Sequence, residues 1–297
     1  MQFGIMAMQM NALIPPVNNP QDAMQHVATF SHAGLVRKLY EAGFDLIELG
    51  GDLGMWFPQT FSPPAIEELA QLKEEVGLTY TVHLPLWSVE PSTPLKAVRR
   101  GSVQALVDCI QATRPLAPQC YVLHATGALA AEFYRMNLPS AGKALILHQF
   151  QQNALQSIQA ILEETGLPAR QLAVETIEFP FDLTLEMAER LDLSICLDTG
   201  HVLAGFAGAV DLFSVLEQVL PRLAEIHLHD CPILQNADQP AYGLDHQPLG
   251  SGDLDTARLL DRLNKAQFKA PIIFELTVLQ ALSSLQTIRQ LRPHLVS

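Results

Sequence analysis

Six acidic or imidazole side chains recur at one place in a repeating pattern: His83 in "TYTVHLP", His124 in "CYVLHAT", Glu175 in "QLAVETI", Asp198 in "LSICLDTG", His227 in "LAEIHLHD" and Glu275 in "APIIFELT". Each run reads as a strand, in which successive side chains point to opposite faces. His83 then lies opposite Val82 and Leu84, His124 opposite Leu123, Glu175 opposite Val174, and Asp198 opposite Ile195 and Leu197. His227 lies opposite Ile226 and Leu228, and Glu275 opposite Ile272 and Phe274. The polar residue sits near the C-terminal end of its strand, away from the bulkiest aliphatics. Carboxylates gathered in this way repel and are costly to bury. A divalent cation supplies the missing positive charge. A mixed carboxylate and imidazole set suits zinc, manganese, iron or cobalt rather than calcium, as one ion or more. A single strand-end His or Glu is usually structural, but that reading does not explain six on one face and at one end.

Further polar residues follow the strand ends: His201 in "DTGH", then His229, Asp230, Asp245 and His246. His229 shares the inward face of its run, as does Glu225 one layer deeper. Support for a ligand from behind, or contact with substrate, is the expectation for His229 and Asp245. Glu48 in "DLIELG" also faces inward, where it binds substrate, orients a ligand or pairs with a cationic side chain.

The elements that must carry these residues are eight short apolar runs, the six above together with "FGIMAM" and "DLIELG". Amphipathic stretches separate them, such as "PAIEELAQLKEEVG", with Pro63 and Pro64 at its start and Gly77 at its end. Strands alternating with helices imply a parallel sheet. Eight such units in 297 residues predict a closed (β/α)8 TIM barrel, one domain over residues 1–297. An open doubly wound sheet is the alternative, but no glycine-rich phosphate loop follows the first strand. Two long connections, "GGDLGMWFPQTFSPP" and "CPILQNADQPAYGLDHQPLGSG", follow strand C-terminal ends, where a barrel carries its active site. For Trp56, Phe57 and Phe61 in the first, packing beneath the loop or a dimer contact is preferred to a lid.

The net charge of -13 argues against a nucleic-acid or anionic-membrane partner and leaves a small-molecule substrate; a homo-oligomer stays open. Cys109, Cys120, Cys196 and Cys231 form no CxxC pair, which fits a reducing compartment. Cys196 and Cys231 read as packing residues rather than nucleophiles. The N-terminal "MQFGIMAMQMNALIPP" reads as a first strand running into a loop rather than as a basic-led signal peptide. The expected location is the cytoplasm.

The ordered set "VH", "LH", "VET", "LDTGH", "IHLHD", "PLGSGDLD" and "FEL", running from Phe3 to about Leu276, resembles the xylose-isomerase-like TIM-barrel superfamily. That group contains sugar phosphate isomerases and epimerases, and apurinic endonucleases of the endonuclease IV type (AP endonuclease family 2). The resemblance implies that Glu175, Asp198, His227 and Glu275 hold a shared metal. In the epimerase branch the two glutamates also move protons, His201 holds a substrate oxygen and His246 faces substrate. In the endonuclease branch three metals are held by a larger set, matched here by His83, His124, Glu175, Asp198, His201, His227, His246 and Glu275. An aspartate of that set, two residues before His246, is Leu244 here, with Asp245 displaced by one. Such a shift changes where a side chain points.

Three functions follow in order of preference. The first is metal-dependent isomerisation or epimerisation of a small sugar, sugar phosphate or polyol, with Glu175 and Glu275 moving a proton through an enediolate. The second is hydrolysis of a small phosphoester by two or three metals, which the surplus histidines favour. DNA does not fit, with 18 Lys and Arg against 31 acids. The third is a non-catalytic barrel that binds metal or ligand.

Overall fold

The computed structural model describes residues 1–9, 13, 19–233 and 240–296. Most of the predicted N-terminal loop (10–12 and 14–18) and residues 234–239 of the second long connection lie outside them.

Eight parallel strands close into a barrel in sequence order: β1 (Gln2–Met6), β2 (Leu46–Gly50), β3 (Thr79–His83), β4 (Tyr121–Leu123), β5 (Leu172–Glu175), β6 (Ser194–Asp198), β7 (Leu223–His227) and β8 (Pro271–Phe274). β1 pairs with β8 to complete the ring. Each strand is shorter than its apolar run, and the shortening places the chemistry. His83, Glu175, Asp198 and His227 are the last residues of their strands; His124 and Glu275 come one residue after theirs.

The alternation predicted from sequence sorts two cores. Tyr80, Val82, Leu123, Val174, Ile195, Leu197, Ile226 and Phe274 belong to the continuous apolar layer between strands and helices. The small residues Val122, Ala173 and Cys196 pack separately, inside the barrel. The barrel floor is tight: a Cβ on Gly4 would lie 2.5 Å from Leu46 Cγ and 2.8 Å from Ile273 Cδ1, so only glycine fits between those two side chains.

The helices form for local reasons. Helix Pro63–Val76 opens with prolines in its first turn and ends at Gly77, whose φ of 76° closes it in the left-handed region. Its buried face is Ile66, Leu69 and Leu72, at helical spacing. Asp211 and Asp255 cap the helices after β6 and β7 by accepting the backbone N–H of Ser214 and Arg258. The aromatic loop after β2 packs as expected: Phe57 is buried and stacks on Phe30 at 3.9 Å, and Phe61 meets His32 edge-on. Trp56 stays exposed on the surface. All four cysteines are buried free thiols. Among the described residues no helix is long and apolar enough to cross a membrane.

Candidate metal centre

The strand ends bring the six predicted residues together, and Glu175 is their hub. Its Oε2 lies 3.1 Å from His83 Nε2 and 2.9 Å from His124 Nε2. Its Oε1 faces the other way, 3.3 Å from His201 Nδ1 and 3.5 Å from His227 Nδ1. His227 Nδ1 also lies 3.3 Å from Glu275 Oε1 and 3.8 Å from Asp198 Oδ2. Glu175, Asp198, His227 and Glu275 therefore aim one donor atom each at a common point, and His83, His124 and Glu175 at a second.

The ring nitrogens are assigned by what stands behind them. His83 Nδ1–H donates to the Leu84 carbonyl at 2.9 Å, which leaves Nε2 as the lone pair facing Glu175. His227 Nε2–H donates to Glu48 at 3.4 Å, which leaves Nδ1 facing the carboxylates. Among the described side chains, His227 Nδ1 and His201 Nδ1 are buried nitrogens with no hydrogen-bond partner. Buried lone pairs turned towards carboxylates are what a cation satisfies, and the donor set fits a divalent metal.

Charge is otherwise balanced only by protons. Burial works against a proton on His83 and on His201, yet the neighbouring carboxylates outweigh it and raise both to about 9. Burial likewise opposes ionisation of Glu175, but His124 and His227 hold it well below the usual carboxylate range. Glu275 is lowered too, as His227 and His246 overcome its burial. Beneath the site, burial and the nearby Glu225 push Glu48 up to about 8. Glu225 in turn accepts from Thr81 at 3.3 Å and from the Cys120 thiol at 2.7 Å. Glu48, fully buried, stands behind His227 with a carboxylate oxygen 3.4 Å from its Nε2.

The one-residue displacement at Asp245 does not take its carboxylate out of the site. Asp245 Oδ2 is 2.8 Å from His246 Nδ1 and 3.8 Å from His201 Nε2. The reason is the backbone at His246, whose φ of 57° is left-handed. In this irregular segment, which is not a strand, Asp245 turns inward and Leu244 stays exposed. His201, Asp245 and His246 thus lie together beside the first group, joined to it by the 3.2 Å contact of His246 Nε2 with Glu275 Oε2.

His229 supports this arrangement without offering a lone pair. Its Nδ1 accepts the backbone N–H of His246 at 2.9 Å, so Nε2 carries the proton and lies 2.9 Å from Asp198 Oδ2. It touches neither cleft described below. Gly200 makes room for it, because a Cβ there would overlap the His229 ring. Gly200→Ala should therefore destabilise the fold by about 1–3 kcal/mol and weaken metal retention, read by thermal melting and metal analysis. An unchanged melting temperature would show that the ring is free to move. Asp230 is structural: its carboxylate accepts from the backbone of Cys231, Gly250 and Leu254, fixing the "LGSGD" turn.

Two clefts open over the centre. One, of about 500 Å³, lies on the β8–β1–β2 side and reaches His83, His124, Glu175, His201, His246 and Glu275. The other, of about 730 Å³, lies over the loops after β3 to β7 and shares Leu86, Trp87, His124 and His201 with the first. Sequence patterning missed Trp87, Arg135, Phe206 and Tyr242 in these walls. They stand in loops and on a helix, where no strand periodicity marks a direction.

The closed eight-stranded barrel, with histidines and carboxylates ringed at its C-terminal mouth, defines a TIM barrel whose donor set could hold metal. The family profile described as "Xylose isomerase-like TIM barrel" matches residues 36–292, and the chain belongs to that family. No curated protein matches the sequence. Among solved structures, it is similar to a D-tagatose 3-epimerase-like protein, with TM-score 0.71, 18% identity, and 98% of this chain and 97% of that one covered. Endonuclease IV from Thermus thermophilus gives TM-score 0.64 and 18% identity, covering 98% of each chain. A 3-keto-D-glucoside 4-epimerase from E. coli gives TM-score 0.64 and 17% identity, covering 98% of this chain and 99% of that one. At such identities the likeness carries the fold and not the reaction.

Proposed function

We propose that the protein is a multi-metal hydrolase of small phosphoesters. The observation behind this reading is Glu175, whose two oxygens face separate donor groups, Oε2 towards His83 and His124 and Oε1 towards His201 and His227. Glu175 would share in holding ions on both sides, one with His83 and His124 and one with Asp198, His227 and Glu275. A single ion on Glu175, Asp198, His227 and Glu275 would leave His83 and His124, the partners of Glu175 Oε2, outside its ligand set. Zinc, manganese, iron or cobalt ions would supply positive charge for the phosphoryl oxygens and acidify a water. The chain's own residues do the rest. His83, held by Leu84, and His227, held by Glu48, keep their lone pairs aimed inward. His246, 43% exposed, stands at the mouth where a substrate enters. The net charge of -13, with no Lys or Arg among the described residues of the first cleft, speaks for a small substrate and against nucleic acid.

Protein purified without chelators should carry two or three divalent ions per chain and release p-nitrophenol from p-nitrophenyl phosphate esters. One ion per chain with no ester hydrolysis would sink this reading.

A second reading is isomerisation or epimerisation of a small sugar or sugar phosphate. It is supported by the epimerases among the similar structures and by Glu175 and Glu275 both reaching the cleft. There the two glutamates would take and return a proton on carbon. Solvent deuterium entering a ketose at carbon would mark it.

A further inference from the structure

We infer that the substrate is a small diester whose two organic groups lie in separate clefts on either side of the metal centre, with Trp87 as the wall between them. The inference rests on the phosphoester reading.

Among the described residues the two clefts share Leu86, Trp87, His124 and His201, so a phosphoryl group at the centre has room on both sides. A monoester would fill one cleft and leave the other to water. Its additional negative charge also needs donors, and among the described residues no Lys or Arg lines the first cleft and Arg135 alone lines the second. A diester carries a single charge, which the centre itself can meet.

The walls describe the two substituents. Away from the histidines and glutamates of the centre, the first cleft is walled by Met6, Met8, Leu86, Trp87 and Leu276, with Gln9, Gln280 and the Asp52 carboxylate, which is turned to the Leu86 and Trp87 backbone. It suits an uncharged apolar or aromatic group. The second presents a stack in which the Arg135 guanidinium lies 5.2 Å from the Tyr242 ring centre and Tyr242 lies 5.2 Å from Phe206. Arg135 is also paired with Glu178 at 3.2 Å. This wall suits a flat group with polar edges.

Trp87 is half exposed, yet its loop is fixed at both ends. The buried Asp52 carboxylate accepts the backbone N–H of Leu86 at 2.9 Å and of Trp87 at 3.3 Å. Glu90 accepts Gly127 N–H and Leu129 N–H, each at 2.9 Å. These bonds fix the backbone that carries the half-exposed indole, so a stacking surface stands between the two clefts and only the Trp87 side-chain torsions remain to be ordered on binding.

The test uses the metal-loaded protein and three probes: bis(p-nitrophenyl) phosphate, methyl p-nitrophenyl phosphate and the monoester p-nitrophenyl phosphate. All release the same leaving group. After correction for uncatalysed rates, the bis-aryl diester should exceed the monoester in kcat/KM by about tenfold or more, which is the worth of one good stacking contact. Trp87→Ala, a change at an exposed position, should lower kcat/KM for the bis-aryl diester at least about fivefold more than for the methyl diester. Calorimetry should show diphenyl phosphate binding more tightly than dimethyl phosphate, with the difference lost in Trp87→Ala. Preference for the monoester, or equal losses on both diesters, would overturn the inference and leave the hydrolase reading standing. No turnover of any of the three probes would overturn both.

Discussion

Glu175→Gln should cost the protein more than one ion. The amide keeps the shape of the carboxylate but loses the charge that faces two donor groups, His83 with His124 on one side and His201 with His227 on the other. Metal content should fall by about two ions per chain, and turnover by more than the roughly 10- to 100-fold that follows loss of a partner standing behind a ligand. Asp198→Asn, acting on the His227 side alone, should cost one ion. Metal analysis of the two variants beside the wild type reads the difference directly. If Glu175→Gln and Asp198→Asn each lose a single ion, Glu175 does not bridge, and the isomerase reading gains the ground that the hydrolase loses. The fold should survive both changes, because the strand face opposite Glu175 carries Val174 in the main apolar layer.

Removing the metal should make stability fall as pH rises. In the metal-free protein His83 and His201 are held at about 9, above the ordinary histidine value of 6.5. A group raised in the folded state stabilises it fully below 6.5 and loses that contribution as pH climbs towards 9. Glu175 works in the opposite sense. Lowered in the folded state, it contributes above the usual carboxylate range and loses that contribution in acid. Chelated protein should therefore melt highest near about pH 5–6 and progressively lower towards about pH 9. With divalent ion present the trend reverses, since ions replace the imidazole protons and bind best where those protons leave easily. At a thousandfold excess over its dissociation constant, one ion adds about 4 kcal/mol. In a chain of 297 residues that shifts the melting temperature by roughly 6 °C at alkaline pH, and less under mildly acidic conditions. Melting curves with and without chelator across this range test the claim, and a flat profile for the chelated protein would refute it.

The sequence by itself determined the barrel and the six residues at its mouth. Both are matters of local backbone geometry: a strand sends alternate side chains to opposite faces whatever surrounds it, so His83, His124, Glu175, Asp198, His227 and Glu275 could be placed on one face from their neighbours alone. Glu48 and Glu225, lower on the same face, followed from the same rule. The rule ends with the strands. β7 stops at His227, and for His229 two residues later the sequence left support for a ligand and contact with substrate open; the folded chain sets it against Asp198, the His246 backbone and Gly200. Asp245 lies beside His201 and His246 in an irregular segment whose His246 has a left-handed backbone and hydrogen-bonds to a residue 17 positions away. The two faces of Glu175 and the position of Trp87 between two clefts depend likewise on which distant loops close over them. Alternation is a property of a few adjacent residues, whereas the direction of a loop side chain is set by contacts the sequence does not order, and those contacts turned a ring of ligands into three adjoining groups.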